Sequence, residues 1–213
     1  MEITTMGKLE SNKLQKKKSL LDTAFDLFTT KGVSKTSIAE ISEKAGIAKG
    51  TFYLYFKDKY DIRNKLVSHE SSKLFKKAAA TLDACCNNNQ VNLSLEDKII
   101  FIADNIINAL NTDKTLLTFI SKNLSWGIFR DALTTNVSED DINFKEVYYA
   151  MIDSAEYEIE NPEIMLFLIV ELVSSSCYSS ILYNEPADIE TIKPYLFQTI
   201  RAIIKQHEKQ LKN

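Results

Sequence analysis

Residues 36–56 read TSIAEISEKAGIAKGTFYLYF and predict two short helices separated by a turn. Ser37 and Glu40 have the Ser-x-x-Glu spacing of a capping box, which satisfies two backbone donors at a helix start reciprocally. Gly46 stands where a helix can end in the left-handed conformation at the lowest cost. The turn that follows is about three residues long, which is the length used in a helix-turn-helix.

The second predicted helix has two chemically different faces. At roughly 100° per residue, Phe52 and Phe56 share one face and are expected to be buried. On the opposite face Gly50 would let backbone approach DNA closely, and Leu54 suits a thymine methyl group. Hydroxyl and ammonium groups on this side suit phosphate oxygens. The candidate DNA-facing residues of this helix are Lys49, Gly50, Thr51, Tyr53, Leu54 and Tyr55.

The chain resembles the TetR family of bacterial transcription regulators over about residues 12–70. The resemblance lies in the following runs: Ala24-Phe25-Asp26-Leu27-Phe28, Lys31-Gly32-Val33, Thr36-Ser37-Ile38, Ala45-Gly46-Ile47, Lys49-Gly50-Thr51-Phe52-Tyr53-Leu54-Tyr55-Phe56 and Lys57-Asp58-Lys59. It implies a three-helix DNA-binding head, a longer helical body for ligand binding and dimerisation, and usually repression relieved by a small molecule.

The resemblance also assigns roles to individual positions. It implies groove-reading positions at Lys49, Gly50, Tyr53 and Leu54, and phosphate contacts at Thr36, Ser37, Thr51, Tyr55 and Lys59. Ala48 departs from the family pattern, because the family usually has Ser or Thr as the cap of the recognition helix. Losing that cap is expected to cost about 1 kcal/mol of local helix stability.

Charge is divided unevenly along the chain, although the net charge is only −3. Residues 1–60 contain 11 lysines and 7 acidic residues, whereas residues 61–213 contain 15 basic and 22 acidic residues. The net charges of these two parts are therefore +4 and −7. This difference would orient the molecule in the field of DNA, and the affinity for DNA would fall as the salt concentration rises. Lys13, Lys16, Lys17 and Lys18 form either a DNA-contacting arm or a solvated basic tail.

Composition predicts an all-α protein. With 45% hydrophobic residues the chain can build a full core, and only 5 Gly and 3 Pro interrupt it. We expect an N-terminal DNA-binding domain over residues 1–60 and a ligand-binding and dimerisation domain over 61–213. A connecting helix should start near Lys59, after the cap Asp58.

The expected helices follow the apolar spacing and the polar breaks. They cover about residues 13–31, 59–85, 94–111, 114–129 with one further break, 144–160, 163–183 and 191–211, with a polar loop at 134–141. The last two resemble the family's dimerisation pair, which packs against its twin as a four-helix bundle. As the alternative, both are ordinary core of a monomer. Two heads of a dimer would need to meet major grooves about 34 Å apart, which implies a palindromic operator.

An effector pocket in the body would be lined by aromatic and apolar side chains with a few polar groups. Glu171 lies within an otherwise apolar helix and either meets a ligand or forms a buried pair across the dimer. The aromatic candidates are also explained by ordinary core packing. The candidate pocket residues are Phe119, Trp126, Phe129, Tyr148, Tyr149, Phe167, Glu171 and Tyr178.

Catalysis and metal binding find little support in the sequence. His69 and His207 stand alone, without the Cys or Glu spacing of a metal site, and no phosphate-binding glycine loop is present. The adjacent Cys85 and Cys86 leave a zinc or thiol sensor open as a minor alternative. We expect no enzyme activity, cofactor or metal, and the absence of a signal-like start predicts a cytoplasmic protein without membrane contact.

These observations predict a homodimeric repressor that leaves its operator when a small molecule binds the body. The alternative is a DNA-anchored interaction protein whose body docks a protein partner without any small molecule. A cavity in the body would favour the first prediction, and a solidly packed body would favour the second.

Overall fold

The computed structural model describes residues 3–129 and 144–209. The helices are α1 (Ile3–Thr30), α2 (Ile38–Lys44), α3 (Lys49–Phe52), α4 (Lys59–Asn89), α5 (Leu95–Thr112), α6 (Lys114–Asn123), α7 (Phe144–Asp153), α8 (Pro162–Tyr183) and α9 (Ile189–Gln206). Residues 126–129 are helical as well. Over the described ranges the chain forms helices and turns without a β-sheet, which confirms the all-α prediction.

The chain divides into two compact units, Met1–Val67 and Ser68–Asn213. Helix α4 begins in the first unit and ends in the second, so it joins them covalently. The polar loop expected at 134–141 lies outside the described residues.

In the first unit, α1, α2, α3 and the start of α4 enclose an apolar core. Its buried side chains are Leu20, Leu21, Ala24, Leu27, Phe28, Ile41, Phe52, Phe56, Ile62, Leu66 and Val67. The end of α2 follows the expected pattern, because Gly46 has φ +66°. There the Ile47 N–H donates to the Ser42 carbonyl at 2.9 Å, and the Gly46 N–H donates to Glu43 at 3.1 Å. These paired bonds satisfy the last carbonyls of α2 and fix the turn before α3.

In the second unit, α5 and α8 lie at the centre and contact each other, and α9 packs on both. Polar contacts fasten α9 to α5. The Lys193 ammonium, in a residue only 9% exposed, lies 3.1 Å from an Asp104 carboxylate oxygen and donates to Asn108 Oδ1 at 2.6 Å. Arg201 donates to Asp97 Oδ1 at 2.7 Å. Helix α9 is therefore held by ionic contacts as well as by apolar packing.

Helix α8 is apolar on nearly every side, and Met165, Leu166 and Ile169 on it are buried. Of the described helices it alone is long and apolar enough to span a membrane, judged by length and composition. The central helix of a folded protein meets the same criterion, and α8 holds that position in the second unit.

Several expected helix boundaries were wrong. Helix α1 begins at Ile3 rather than near Lys13, so the four early lysines lie within it. Helix α4 continues to Asn89, and α7 ends at Asp153. Asp188 caps α9 by accepting a hydrogen bond from the Thr191 N–H at 3.0 Å. Because this cap starts α9 early, Pro194 lies inside the helix rather than in its first turn.

Candidate DNA-binding surface and effector cavity

Helix α3 and the turn after it present the amphipathic surface expected from the sequence. Phe52 and Phe56 are 0% and 1% exposed, whereas Leu54 and Tyr53 are 79% and 52% exposed. Lys49 and Gly50 are exposed, and Thr51 and Tyr55 are half-buried. A leucine that projects into solvent contributes nothing to the core, so its side chain is available for an external partner.

Helix α3 is short, and its first residue lacks a side-chain cap. Ala48 occupies the cap position and makes no side-chain hydrogen bond. Regular helix covers Lys49–Phe52, after which the Leu54 N–H donates to Thr51 at 3.1 Å and the Tyr55 N–H donates to Phe52 at 3.0 Å. These tighter bonds continue the helical path through the exposed residues. Alanine at the cap leaves the first backbone N–H groups of α3 without a side-chain acceptor.

Gly50 is not required by the packing of the chain itself. A Cβ atom built there would have no heavy atom within 4 Å, and the residue does not have a positive φ. The free protein would therefore accept alanine at this position, which has the higher helix propensity.

Two hydroxyl residues precede α2 and have different environments. The Ser37 Oγ accepts a hydrogen bond from the Glu40 N–H at 3.1 Å, and Ser37 is exposed. The Lys31 ammonium, with the Ser37 backbone N–H as a smaller contributor, lowers the pKa of the Glu40 carboxyl. Thr36 is only 2% exposed, and its hydroxyl donates to the Gly32 carbonyl at 2.9 Å. The expectation that the Thr36 hydroxyl contacts phosphate does not fit this inward placement.

The ammonium group of Lys59 also makes its hydrogen bonds within the protein. Its ammonium donates to the carbonyls of Val33, Ser34 and Thr36 at 3.0, 3.1 and 3.2 Å. These three bonds use all the donors of a lysine side chain. The role expected for Lys59, a direct phosphate contact, therefore competes with bonds to the loop between α1 and α2.

A shallow surface groove runs between this loop and α3. Its lining residues are Ser34, Lys35, Thr36, Ser37, Ile38, Ala39, Lys49, Tyr53, Asp58, Lys59 and Tyr60. The Asp58 carboxylate is occupied as the cap of α4, since it accepts the Asp61 and Tyr60 N–H groups at 2.8 Å each, and these bonds lower its pKa. Lys35 lines the groove and is exposed. It was not predicted as a DNA contact, because it lies outside the sequence motifs that assign such contacts to its neighbours.

The second unit contains an apolar cavity of about 150 Å³. Helices α4 to α8 and the segment after α6 contribute its walls. The lining residues are Ser71, Leu74, Phe75, Ile99, Ile102, Ala103, Ile106, Leu110, Leu117, Ile120, Ser121, Leu124, Phe129, Tyr148, Met151, Leu166, Ile169, Val170, Val173 and Ser174. None of these side chains carries a charge at neutral pH, and the Tyr148 hydroxyl donates to the Pro162 carbonyl at 2.7 Å. Burial raises the pKa of Tyr148, so this hydroxyl stays neutral.

Only Phe129 and Tyr148 of the expected pocket residues line this cavity. Trp126 instead contacts Phe167, with ring centroids 5.0 Å apart. Phe119 is a buried core residue, and Glu171 is exposed in the single chain. Tyr149 packs edge-on against Tyr148, and Tyr178 is within hydrogen-bond distance of the Tyr183 hydroxyl, at 3.2 Å. Most of the wall consists of aliphatic side chains. Their pattern in the sequence is the same as that of ordinary core residues.

The three cysteines differ in their burial. Cys177 is fully buried, and burial raises the pKa of its thiol to about 12. Cys85 and Cys86 are half-buried at the end of α4. Within residues 3–129 and 144–209, no three His, Cys, Asp or Glu residues converge in a metal-binding arrangement.

Comparison with known proteins assigns the first unit to a family. Residues 20–66 match the family described as "Bacterial regulatory proteins, tetR family". The HTH-type transcriptional regulator AcrR of Shigella flexneri is 45% identical over 47 residues, which are 22% of this chain and 22% of that protein. The match thus spans about a fifth of that relative's length. Residues 20–66 of this chain are therefore a TetR-family segment.

The fold likeness extends beyond the matched segment. A putative TetR-family regulator from Shewanella sp. PV-4 covers 92% of this chain and 99% of its own, with a TM-score of 0.59 and 16% identity. FadR from Bacillus subtilis in complex with stearoyl-CoA has a TM-score of 0.56 and 14% identity, and the match covers 85% of this chain and 96% of that one. These relatives are transcriptional regulators rather than enzymes.

Proposed function

We propose that this protein is a sequence-specific DNA-binding transcriptional regulator. DNA binding is assigned to the first unit, and effector binding and dimerisation to the second. The observation that carries the proposal is the exposed, uncapped recognition segment around Leu54, on a domain that matches the TetR family over residues 20–66. A helix that leaves Leu54 79% exposed gains nothing from it in the free protein, whereas a major groove offers thymine methyl groups.

The proposed DNA contacts are the exposed and half-buried members of the expected set. Leu54 and Tyr53 would read base edges, and Gly50 would allow close backbone approach. Hydroxyl and ammonium groups around them would meet phosphates. The full proposed set is Ser37, Lys49, Gly50, Thr51, Tyr53, Leu54 and Tyr55.

We further propose a homodimer formed through α8 and α9. The single chain leaves Ile164 and Leu168 of α8 exposed by 53% and 39%, and Tyr183 and Tyr195 by 58% and 68%. Apolar side chains grouped on two adjacent helices suit a protein interface. A two-fold dimer would read a palindromic operator with half-sites about 34 Å apart.

The proposed effector is a small molecule with a substantial hydrocarbon part. The wall of the cavity offers aliphatic and aromatic carbon and a few hydroxyls, so an ionised group inside it would lose its hydration without a partner. A volume of about 150 Å³ holds a short alkyl chain or one ring without rearrangement, as apolar cavities of that size do. The likeness in fold to a regulator bound to stearoyl-CoA makes an alkyl chain a reasonable probe.

Repression released by this effector is the proposed mode of action. Helix α4 supplies Ser71, Leu74 and Phe75 to the cavity wall and begins at Lys59 in the first unit. A ligand that binds one arrangement of α4 better than another would shift the population of DNA-competent dimers. The shift is limited by the ligand's differential affinity for the two arrangements.

The DNA-binding proposal is tested by selecting genomic fragments with the purified full chain, followed by gel shifts on the enriched fragment. Enrichment of one palindrome is the expected result. Leu54→Ala should change the preferred sequence, while the control Leu14→Ala, an exposed leucine of α1, should not. Binding that is equal for all fragments would contradict the proposal.

The effector proposal is tested with 1-hexanol and hexanoate, which share a short chain but differ in head-group charge. Hexanol should release the DNA at lower concentration, because hexanoate has to keep its carboxylate outside the cavity. Ala103→Leu, which places carbon inside the cavity, should weaken release without changing DNA affinity. If neither probe binds or releases DNA, the alternative of a docking protein without an effector gains support.

A further inference from the structure

Lys59 and Thr36 hold the loop between α1 and α2 from two sides. The Thr36 hydroxyl closes the loop onto the Gly32 carbonyl at 2.9 Å. The Lys59 ammonium reaches the loop across more than 20 residues of sequence and binds the Val33, Ser34 and Thr36 carbonyls at 3.0 to 3.2 Å. Hydrogen bonds from an ammonium group are of the stronger, charge-assisted kind. The backbone on both sides of Lys35 is thereby fixed.

Among the described residues, the loop between α1 and α2 exposes Lys35, rather than Lys59, as a free cation at the groove. Lys35 is exposed, lines the groove together with Ser37 and Lys49, and has no ion pair with another described residue. Its ammonium can therefore bind a phosphate without breaking an internal bond. Lys59 would first have to give up a carbonyl of the loop.

We propose that Lys35 is the phosphate-binding cation of this loop and that Lys59 is a positioning residue, which shapes the loop for DNA without neutralising a phosphate. This assignment rests on the proposed DNA-binding function. It moves the phosphate contact from Lys59, to which the family resemblance points, to Lys35, to which the resemblance assigns no role. This reassignment follows from the three carbonyl bonds of Lys59.

Salt dependence separates the two roles. A lysine that neutralises one phosphate contributes about 0.9 to the slope of log affinity against log salt concentration. Lys35→Met should lower the slope by about that amount and leave the melting temperature of the free protein unchanged. Lys59→Met should leave the slope unchanged, weaken DNA binding about tenfold at every salt concentration, and lower the melting temperature. Lys114→Met, an exposed lysine of α6, is the matched control and should change neither.

Lys59→Arg keeps the experiment decisive if Lys59→Met folds poorly. A guanidinium is a planar fork that does not reproduce three bonds converging on one ammonium, so this variant should keep the slope but bind more weakly. Full affinity in Lys59→Arg, or a slope lowered by about 1 with an unchanged melting temperature in Lys59→Met, would overturn the positioning role.

An unchanged slope in Lys35→Met would overturn its phosphate contact. If the unmodified protein shows no salt-dependent DNA binding, the proposed function fails, and the Lys35 assignment fails with it. The melting temperature of Lys59→Met still decides the loop-holding role of Lys59, because it is measured without DNA.

Discussion

Replacing Gly50 by alanine should raise the stability of the free protein while lowering its affinity for DNA. Gly50 lies in α3 with an ordinary φ, and a Cβ atom there meets no heavy atom within 4 Å. Alanine restricts the unfolded chain, which stabilises a protein by about 0.4–1 kcal/mol where the conformation fits. For a chain of this size the melting temperature should rise by about 1–4 °C.

The opposite effect on DNA binding follows from the proposed position of Gly50 in the groove. An added methyl group would push the recognition segment away from the bases, and overpacking of close contacts costs about 1–3 kcal/mol. Such a loss weakens binding by roughly 5- to 150-fold. Fluorescence anisotropy with the selected fragment measures this change, and thermal melts of the free protein measure the stability.

Gly127→Ala is the matched control for this prediction. Gly127 lies in the helical residues 126–129 of the second unit, is exposed, and also has no heavy atom within 4 Å of a built Cβ. It should show the gain in stability without the loss of DNA affinity. If Gly50→Ala binds the fragment as tightly as the unmodified protein, close approach of the Gly50 backbone to DNA is refuted.

Three further predictions test other parts of the structure. Ala48→Ser should stabilise α3 by about 1 kcal/mol by restoring a side-chain cap, and unchanged urea unfolding would count against the missing cap. Burial and the raised pKa of Cys177 predict that a thiol reagent at pH 8 labels it only after unfolding, whereas rapid labelling of all three cysteines in the native protein would contradict this. Arg201 lowers the pKa of Asp97, so this carboxylate stabilises the fold above its unfolded value of 3.8 and less at lower pH. Asp97→Asn should therefore lower the melting temperature at pH 6 but have little effect well below pH 3.8, and an equal effect at both pH values would exclude the ion pair as the cause.

The head was predictable because its signals are local. Ser37 and Glu40, three residues apart, mark the start of α2, and Gly46 marks its end. Phe52 and Phe56 share one face of the next helix. Each of these predictions needed only residues that are close together in the sequence. The bonds of Lys59 were not predictable, because its acceptors lie 23 to 26 residues away in a loop without a distinctive motif.

The cavity was hard to locate from sequence for a different reason. Its wall on α5 consists of residues such as Ile102, Ile106 and Leu110, whose spacing matches that of any buried helix face. Aromatic residues were the expected markers, yet Trp126 and Phe167 pack on each other. Whether such a stripe encloses space depends on how the facing helices fit, which the spacing does not encode.

The central claim is tested most directly by the ratio of two DNA affinities of the 213-residue chain, measured at physiological salt. One is for the selected palindromic fragment and the other is for a scrambled fragment of the same composition. The account predicts a ratio of about 10³ or more, as for specific regulators. A ratio near 1 would contradict sequence-specific recognition by the first unit.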